Sequence, residues 1–67
     1  MNKRKWLAAA RALKGMTQEQ VAQESGISVL SYNYLETGRT KEPTVYTAKA
    51  VAKTLGFDWL KFYEEEA

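Results

Sequence analysis

Apolar residues recur along most of this chain with the spacing of α-helices. An early stretch and a later one each place their apolar side chains on a single helical face, which we expect to be buried. The two stripes consist of Trp6, Leu7, Ala10 and Leu13 in the first helix and of Val45, Ala48, Ala52 and Leu55 in the later one.

Between these helices, residues 17–36 read TQEQVAQESGISVLSYNYLE and predict a helix, a tight turn and a second helix. Thr17 and Gln20 have the spacing of a capping box, in which each side chain satisfies the other's backbone N–H. Gly26 can adopt the left-handed conformation that a sharp turn needs, and Ser28 can cap the next helix. A unit of this kind can present its second helix to the major groove of DNA.

The last part of the chain continues the helical pattern. A loop with Gly38 and Pro43 leads to Thr44, a suitable cap for a fourth helix, and Asp58 is a suitable cap for a fifth. Neither a strand pattern nor a repeat interrupts the chain. We therefore predict an all-α fold, a compact five-helix bundle with a helix-turn-helix, as one domain over residues 1–67. The predicted helices span residues 2–14, 17–24, 28–36, 44–55 and 58–65.

Cysteine and histidine are both absent from the 67 residues, which excludes disulfides and a zinc site built from these two residue types. A chain of this length buries only about 60% of its unfolded surface, so the fold must depend on apolar packing. No apolar run has the length of a membrane-spanning segment. We expect a soluble, cytoplasmic protein with no membrane association.

The sequence offers little for catalysis. Ser25, Ser28 and Ser31 have no general base nearby, and a turn, a helix cap or a helix surface explains each of them better. The acidic run Glu64–Glu66 is expected to fray and to be solvated, because consecutive side chains point in different directions and cannot easily share a cation. We predict no catalytic residue, no metal, no cofactor and no small-molecule ligand.

Positive charge prevails before this acidic run. The net charge of the chain is +2, but the residues before Glu64 include ten basic and five acidic side chains. This moderate excess suits an anionic partner such as DNA, although an ordinary solvated surface can have the same composition. Lys3, Arg4 and Lys5 form one basic cluster, for which a phosphate contact and a solvated helix start are both open.

Several short motifs occur together at characteristic spacings. They are an arginine late in the first helix, MTQEQVA at residues 16–22, GIS at 26–28, LETGR at 35–39, PT at 43–44 and LGFDW at 55–59. This combination resembles the lambda-repressor and Cro-type (Xre-like) helix-turn-helix regulators, in particular their short single-domain members from bacteria and phages or prophages. The resemblance implies a lambda repressor-like DNA-binding domain and a transcriptional regulator, expected to be a repressor, at a near-palindromic operator in double-stranded DNA.

The resemblance also implies roles for individual positions. A phosphate-contacting set at the start of the second helix and after the third consists of Thr17, Gln18, Arg39, Thr40 and Lys41. Arg11 and Glu36 match a structural ion pair between the first and third helices. A single domain this small should bind one half-site weakly, so we expect a homodimer, and in relatives the pairing surface lies near the fourth and fifth helices. Its interface is expected at Phe57, Leu60 and Phe62, whereas Trp59 is expected to close the core.

The third helix is expected to read the DNA. The resemblance places Tyr32 and Leu35 on its core side and a base-reading set on its outer side, which consists of Ser28, Val29, Leu30, Asn33 and Tyr34. Valine and leucine offer only apolar contacts, for instance with a thymine methyl, so we expect low to moderate sequence specificity. Two alternatives remain open. Either the apolar face Val29/Leu30/Tyr34 binds another protein, as in an anti-repressor or antitoxin-like module, or a shifted helix register buries Leu30.

Overall fold

Side-chain caps determine where most helices of this protein begin. The structure, a computed structural model that describes residues 3–64, contains four α-helices and one 3-10 helix in that range. Thr17 and Gln20 form the predicted capping box, with 3.1 Å between Gln20 N and Thr17 Oγ1 and 2.8 Å between Thr17 N and Gln20 Oε1. The elements are α1 (Lys5–Leu13), α2 (Gln18–Ser25), α3 (Val29–Thr37), α4 (Val45–Leu55) and the 3-10 helix (Trp59–Tyr63).

The fifth predicted helix is a 3-10 helix, so the bundle consists of four α-helices and one 3-10 helix rather than five α-helices. Asp58 caps it by accepting a hydrogen bond from Leu60 N at 3.0 Å, and Lys61 N donates to Asp58 O at 2.9 Å. With three residues per turn, this helix places Trp59 and Phe62 on the same side. That side packs against the core, as predicted for Trp59.

The turn between α2 and α3 depends on one glycine. Gly26 has a φ of 75°, a left-handed conformation that strains residues with a Cβ atom. Its N–H donates to Gln23 O at 3.2 Å, and Ile27 N donates to Ala22 O at 3.0 Å, which closes the end of α2. Ser28 then caps α3 through its hydroxyl, as the sequence predicts. The turn is thus short enough to hold the two helices in contact.

α2 packs against both α3 and α4, while α1 packs on α3 and the 3-10 helix packs on α4. A hydrogen bond of 3.0 Å between the hydroxyls of Ser25 and Thr54 joins α2 to α4. Trp6 meets the rings of Phe57 and Phe62 edge to face, at centroid distances of 5.1 and 5.3 Å. The largest fully buried side chains are those of Tyr32, Phe62, Leu7, Leu35, Val21 and Val51.

Three apolar residues lie elsewhere than predicted. Leu13 is 90% exposed and Val45 is 50% exposed, so neither belongs to the core. Each is a terminal residue of its helix, and helical periodicity identifies the face of a residue without showing how far neighbouring segments cover that face. Phe62, expected at a dimer interface, is only 2% exposed and is a core residue, because the 3-10 turn directs it inward. Leu60 remains 46% exposed, and Phe57 is partly buried.

α1 begins at Lys5 rather than near residue 2. Lys3 and Arg4 precede it, and the backbone N–H of Arg4 donates to Glu36 O at 2.8 Å, so this segment runs against the end of α3 instead of continuing the helix. Residues 1–2 and 65–67 lie outside the described range, and the fraying expected for the acidic end falls largely on them.

Candidate nucleic-acid interface

α3 has a buried side and an exposed side, and its register decides which residues a partner can reach. Tyr32 and Leu35 are buried on the core side, as predicted. On the other side, Val29 is 44% exposed and Leu30 is 56% exposed. The alternative register, in which Leu30 is buried, is therefore wrong. Ser28 is exposed at the start of the helix, so three of the predicted base-reading residues are accessible.

An ion pair between Arg11 and Glu36 joins α1 to α3. Arg11 Nε lies 2.6 Å from Glu36 Oε2, and Arg11 Nη2 donates to the other carboxylate oxygen at 3.3 Å. Burial by itself would raise the pKa of Glu36, but hydrogen bonding with Arg11, together with polar contacts from Tyr32 and Gln18, outweighs burial and lowers that pKa. The same hydrogen bond raises the pKa of Arg11. Both groups are therefore charged at neutral pH.

Gln18 extends this ion pair into a network that reaches the outer side of α3. Its Nε2 donates to Glu36 Oε1 at 2.9 Å, and its Oε1 accepts from Asn33 Nδ2 at 3.2 Å. Gln18, a predicted phosphate-contacting residue, and Asn33, a predicted base-reading residue, are thus hydrogen-bonded to each other, and the bond restricts both side chains. Because an amide nitrogen carries two hydrogens, each amide retains donor capacity for a further acceptor.

The hydroxyl of Tyr32 is buried beside this network. It makes no hydrogen bond of good geometry, yet the Glu36 carboxylate and the Arg11 guanidinium lie close enough to affect its ionisation. Burial is the largest effect, and together with the carboxylate it raises the pKa of the phenol well above its ordinary value. The phenol therefore stays neutral across the physiological pH range.

The loop between α3 and α4 exposes positive charge close to the end of α3. Thr40 N donates to Tyr34 O at 3.1 Å, which turns the chain back onto the helix. The guanidinium of Arg39 lies over the ring of Tyr34, with its central carbon 5.1 Å from the ring centroid. Lys41 is exposed. The loop therefore presents two cations on a backbone that is tied to α3.

Arg4 has a structural role that the sequence pattern does not reveal. It is 3% exposed, and its guanidinium donates to the carbonyl oxygens of Leu35, Thr40 and Lys41 at 2.7, 2.7 and 2.6 Å. A phosphate contact by Arg4, one of the two possibilities for the basic cluster, is therefore wrong, whereas its two lysine neighbours are exposed. The only sequence feature that points to this role is the residue type, because arginine, unlike lysine, can donate to several acceptors from one rigid plane.

The order of α2, a short glycine turn and α3 matches a known family. A profile of the helix-turn-helix family matches residues 7–62. The chain belongs to the helix-turn-helix family. It is also 44% identical over 62 residues to YqaF of Bacillus subtilis (strain 168), described as an uncharacterized HTH-type transcriptional regulator, with 92% of this chain and 80% of that protein covered. No solved structure matches the chain significantly. The resemblance to Xre-like regulators that the motifs predict is confirmed.

In this helix-turn-helix protein, most of the predicted contact residues cluster around α3. Thr17 is exposed at the start of α2, with its hydroxyl engaged in the capping box. Gln18 reaches α3 through Glu36, and the charged loop follows α3 directly. The structure therefore brings together the N-terminus of α2, the outer side of α3 and the loop. Leu60 belongs to a different element, the 3-10 helix.

A cleft of about 210 Å³ lies between the end of α3 and the start of α4, lined in part by Tyr34, Pro43 and Thr47. It is smaller than the roughly 300–1,000 Å³ of ordinary small-molecule pockets. Among residues 3–64, no cluster of acidic side chains is arranged to hold a metal ion. Within the same range, every helix is too short or too polar to cross a membrane.

Proposed function

We propose that this protein is a transcriptional regulator that binds double-stranded DNA, with α3 in the major groove. The network from Arg11 through Glu36 and Gln18 to Asn33 carries the proposal, because it holds the N-terminus of α2 in a set position relative to the outer side of α3. DNA recognition depends on such a relation, since phosphate contacts orient the helix that reads the bases. Membership in the helix-turn-helix family and the description of YqaF as a transcriptional regulator support it.

Two segments are proposed to contact phosphates. At the N-terminus of α2, backbone N–H groups and the helix dipole favour an anion near Thr17 and Gln18, and the Gln18 amide keeps an N–H to donate. In the loop, Arg39 and Lys41 supply positive charge and Thr40 supplies a hydroxyl. Stacking of the Arg39 guanidinium on Tyr34 restricts that charge to the end of α3. These contacts provide most of the affinity and carry no sequence information.

Base reading is assigned to the outer side of α3. Val29 and Leu30 offer apolar surface suited to thymine methyl groups, and Ser28, Asn33 and Tyr34 offer polar groups. Because Asn33 already donates to Gln18, its freedom to follow different bases is reduced. We therefore propose a binder of low to moderate sequence specificity, in which DNA shape supplements direct contacts.

The proposed regulator acts as a homodimer in the cytoplasm and represses transcription by occluding a promoter. A domain this small would bind a single half-site weakly, whereas two copies engage both halves of a near-palindromic operator. Of the three residues predicted at the interface, Leu60 is exposed, Phe57 is partly buried and Phe62 lies in the core. Two-fold symmetry would set the two recognition helices about 34 Å apart.

A protein-interaction module is the second candidate. The exposed apolar side chains of Val29 and Leu30 favour it, because adjacent apolar residues on a surface often mark contacts between proteins. The anionic character of DNA separates the two candidates, since binding to an apolar protein surface depends only weakly on salt. The positive charge of the loop favours DNA.

The proposed function is tested by selecting bound duplexes from a random DNA pool and measuring the affinity of the selected duplex across salt concentrations. We expect a near-palindromic consensus, and we expect affinity to fall steeply with salt. Replacing both Arg39 and Lys41 with alanine should reduce the magnitude of the slope of log affinity against log salt by about 2. A pool without enrichment, bound equally weakly by the protein and its variants, would point to the protein-interaction module.

A matched control removes the same charge elsewhere. Lys14 and Lys53 are exposed, and the Lys14 side chain lies near Gly56, at the end of α4 that is remote from the loop. Replacing both with alanine should leave the contact-dependent slope within about half a unit of its original value, because the lost phosphate contacts, and not net charge alone, determine that slope. Equal slopes for the two double variants would remove Arg39 and Lys41 from the interface.

A further inference from the structure

The most unusual charged group in the described structure is the buried guanidinium of Arg4. We propose that Arg4 is a positioning residue for DNA binding, which sets the conformation of residues 40 and 41 without touching DNA itself. The inference rests on the proposed role of the loop in phosphate contact. Arg4 also lies before residues 7–62, the region that the family profile matches, so family membership assigns it no role.

Arg4 joins the C-terminal end of α3 to residues 40 and 41 of the loop that follows. The carbonyls of Leu35 and Glu36 lie in the last turn of α3, where backbone acceptors have no partner within the helix. Arg4 serves both, through Nη1 to Leu35 O at 2.7 Å and through its own backbone N–H to Glu36 O at 2.8 Å. A cation at the C-terminus of a helix is also favoured by the helix dipole. Arg4 therefore acts as a C-terminal cap for the proposed recognition helix.

The same guanidinium holds the loop. Nη1 also donates to Thr40 O at 2.7 Å, and Nη2 donates to Lys41 O at 2.6 Å. Two successive loop carbonyls are thereby directed at one planar group, which fixes the orientation of the intervening peptide. Since the side chain of Lys41 leaves the backbone at this point, its direction depends on Arg4. The cap of α3 and the loop are in this way parts of one hydrogen-bonded unit.

Contacts from the 3-10 helix complete the arrangement. The Arg4 guanidinium lies over the ring of Phe62, with its central carbon 5.4 Å from the ring centroid. Tyr63 Oη donates to Pro43 O at 2.6 Å, so the far end of the loop is anchored by the same element. Because Phe62 is buried, the plane of the guanidinium is held by the core. The loop is consequently preorganised, which lowers the cost of ordering it on DNA.

The test is a double-mutant cycle on DNA affinity. Arg4→Met keeps an unbranched apolar stem but removes the guanidinium, with its donors and its contact over the Phe62 ring, and Arg4→Lys keeps the charge but not the planar fork. Each is measured in the original protein and in the Arg39→Ala/Lys41→Ala background, with the selected duplex and under conditions where circular dichroism shows full folding. We expect both substitutions to weaken binding by roughly 5- to 30-fold in the original protein and by less than about 2-fold in the background.

Four outcomes would overturn the inference. Equal losses in both backgrounds would mean that Arg4 contacts DNA or acts only through general stability, and full affinity in Arg4→Lys would mean that charge alone matters. An unchanged salt slope on removing Arg39 and Lys41 would remove the proposed loop contact and the inference with it. A flattened slope without coupling to Arg4 would remove the inference alone. Lys5→Met, the loss of an exposed neighbouring charge, is the control and should show no such coupling.

Discussion

The carboxylate of Glu36, 8% exposed, lies 2.6 Å from Nε of Arg11, which is 23% exposed. This pair joins α1 to the last turns of α3, at the border between the core and the proposed DNA surface. Gln18 adds a hydrogen bond from α2 to the same carboxylate. One side chain thus receives donors from two other helices. The orientation of α3 relative to both helices therefore depends on Glu36.

Replacing Glu36 should destabilise the fold. We expect Glu36→Gln to lower the free energy of unfolding by about 1–3 kcal/mol, because the Arg11 guanidinium and the Gln18 amide would lose their charged acceptor. Urea denaturation at pH 7 measures the loss. Glu24→Gln, at an exposed site on α2, is the matched control and should stay within about 0.5 kcal/mol of the original protein. Equal losses for the two variants would contradict a structural role for the ion pair.

Stability should also fall in acid. The pKa of Glu36 is lowered in the folded protein, so the unfolded chain binds a proton there more readily than the folded one. The stabilisation from ionised Glu36 is complete above the pKa of about 4.3 that this residue has in the unfolded chain. It is lost as the pH falls through the lower pKa that Glu36 has in the folded protein. Denaturation curves from pH 7 to pH 3 should show this loss. Glu36→Gln should have a flatter profile below about pH 5, and parallel profiles would contradict the assignment.

Tyr32 should make the stability of the fold depend on pH in the alkaline range. Its raised pKa means that the unfolded phenol ionises first, so its contribution to stability is complete below about pH 10 and is lost as pH rises towards the folded pKa. Tyr32→Phe should reduce the alkaline loss of stability and cost less than about 1 kcal/mol at pH 7, since the hydroxyl lacks a well-formed hydrogen bond. Tyr46→Phe, at a residue that is 73% exposed, is the control. If the stability of Tyr32→Phe and of the original protein falls identically at alkaline pH, the pKa of Tyr32 is not raised by its buried site.

Phe62 and Leu60 should separate core packing from self-association. Phe62→Ala should lower the free energy of unfolding by about 3–5 kcal/mol, because it leaves a cavity under Trp6 and Phe57. Leu60→Ala should change stability by less than about 0.5 kcal/mol but weaken dimerisation, as measured by sedimentation velocity over a concentration series. A Leu60 variant that sediments like the original protein at every concentration would remove Leu60 from the proposed interface.

Substitutions on the outer side of α3 should change which sites are bound more than how binding depends on salt. Leu30→Ala removes apolar contact, and Tyr34→Phe removes a hydroxyl while keeping the ring that carries Arg39. Each should alter the ratio of affinities between the selected site and its single-base variants, by up to about 1–3 kcal/mol, with the salt slope preserved. If both variants rank all sites as the original protein does, α3 does not read the bases.

Much of the local structure was predictable from short stretches of sequence. The capping box of Thr17 and Gln20 and the left-handed Gly26 act over three or four residues, so their consequences do not depend on distant parts of the chain. The buried positions of Tyr32 and Leu35 followed from the family resemblance. The ends of α1 and α4 were harder, because Leu13 and Val45 have the periodicity of core residues but sit where the covering segments end.

Some features of the candidate site were likewise predictable from the sequence, and others depended on tertiary packing. The exposed positions of Val29 and Leu30 follow once the register of α3 is known. The bond between Gln18 and Asn33 could not be foreseen from either residue, because it requires two helices to be packed at a set distance. The burial of Arg4 depends on the backbone of residues 35, 40 and 41, all more than 30 positions away in the chain.

By itself, the sequence determined the order of the helices, their caps and the family, because these depend on interactions within a few residues and on motifs that can be compared directly. Only the tertiary structure decided that Phe62 is a core residue, that Leu13 is exposed and that Arg4 holds the loop. Burial is a property of what other segments place around a side chain. A hydrogen bond between remote residues likewise exists only after packing has brought donor and acceptor within about 3 Å.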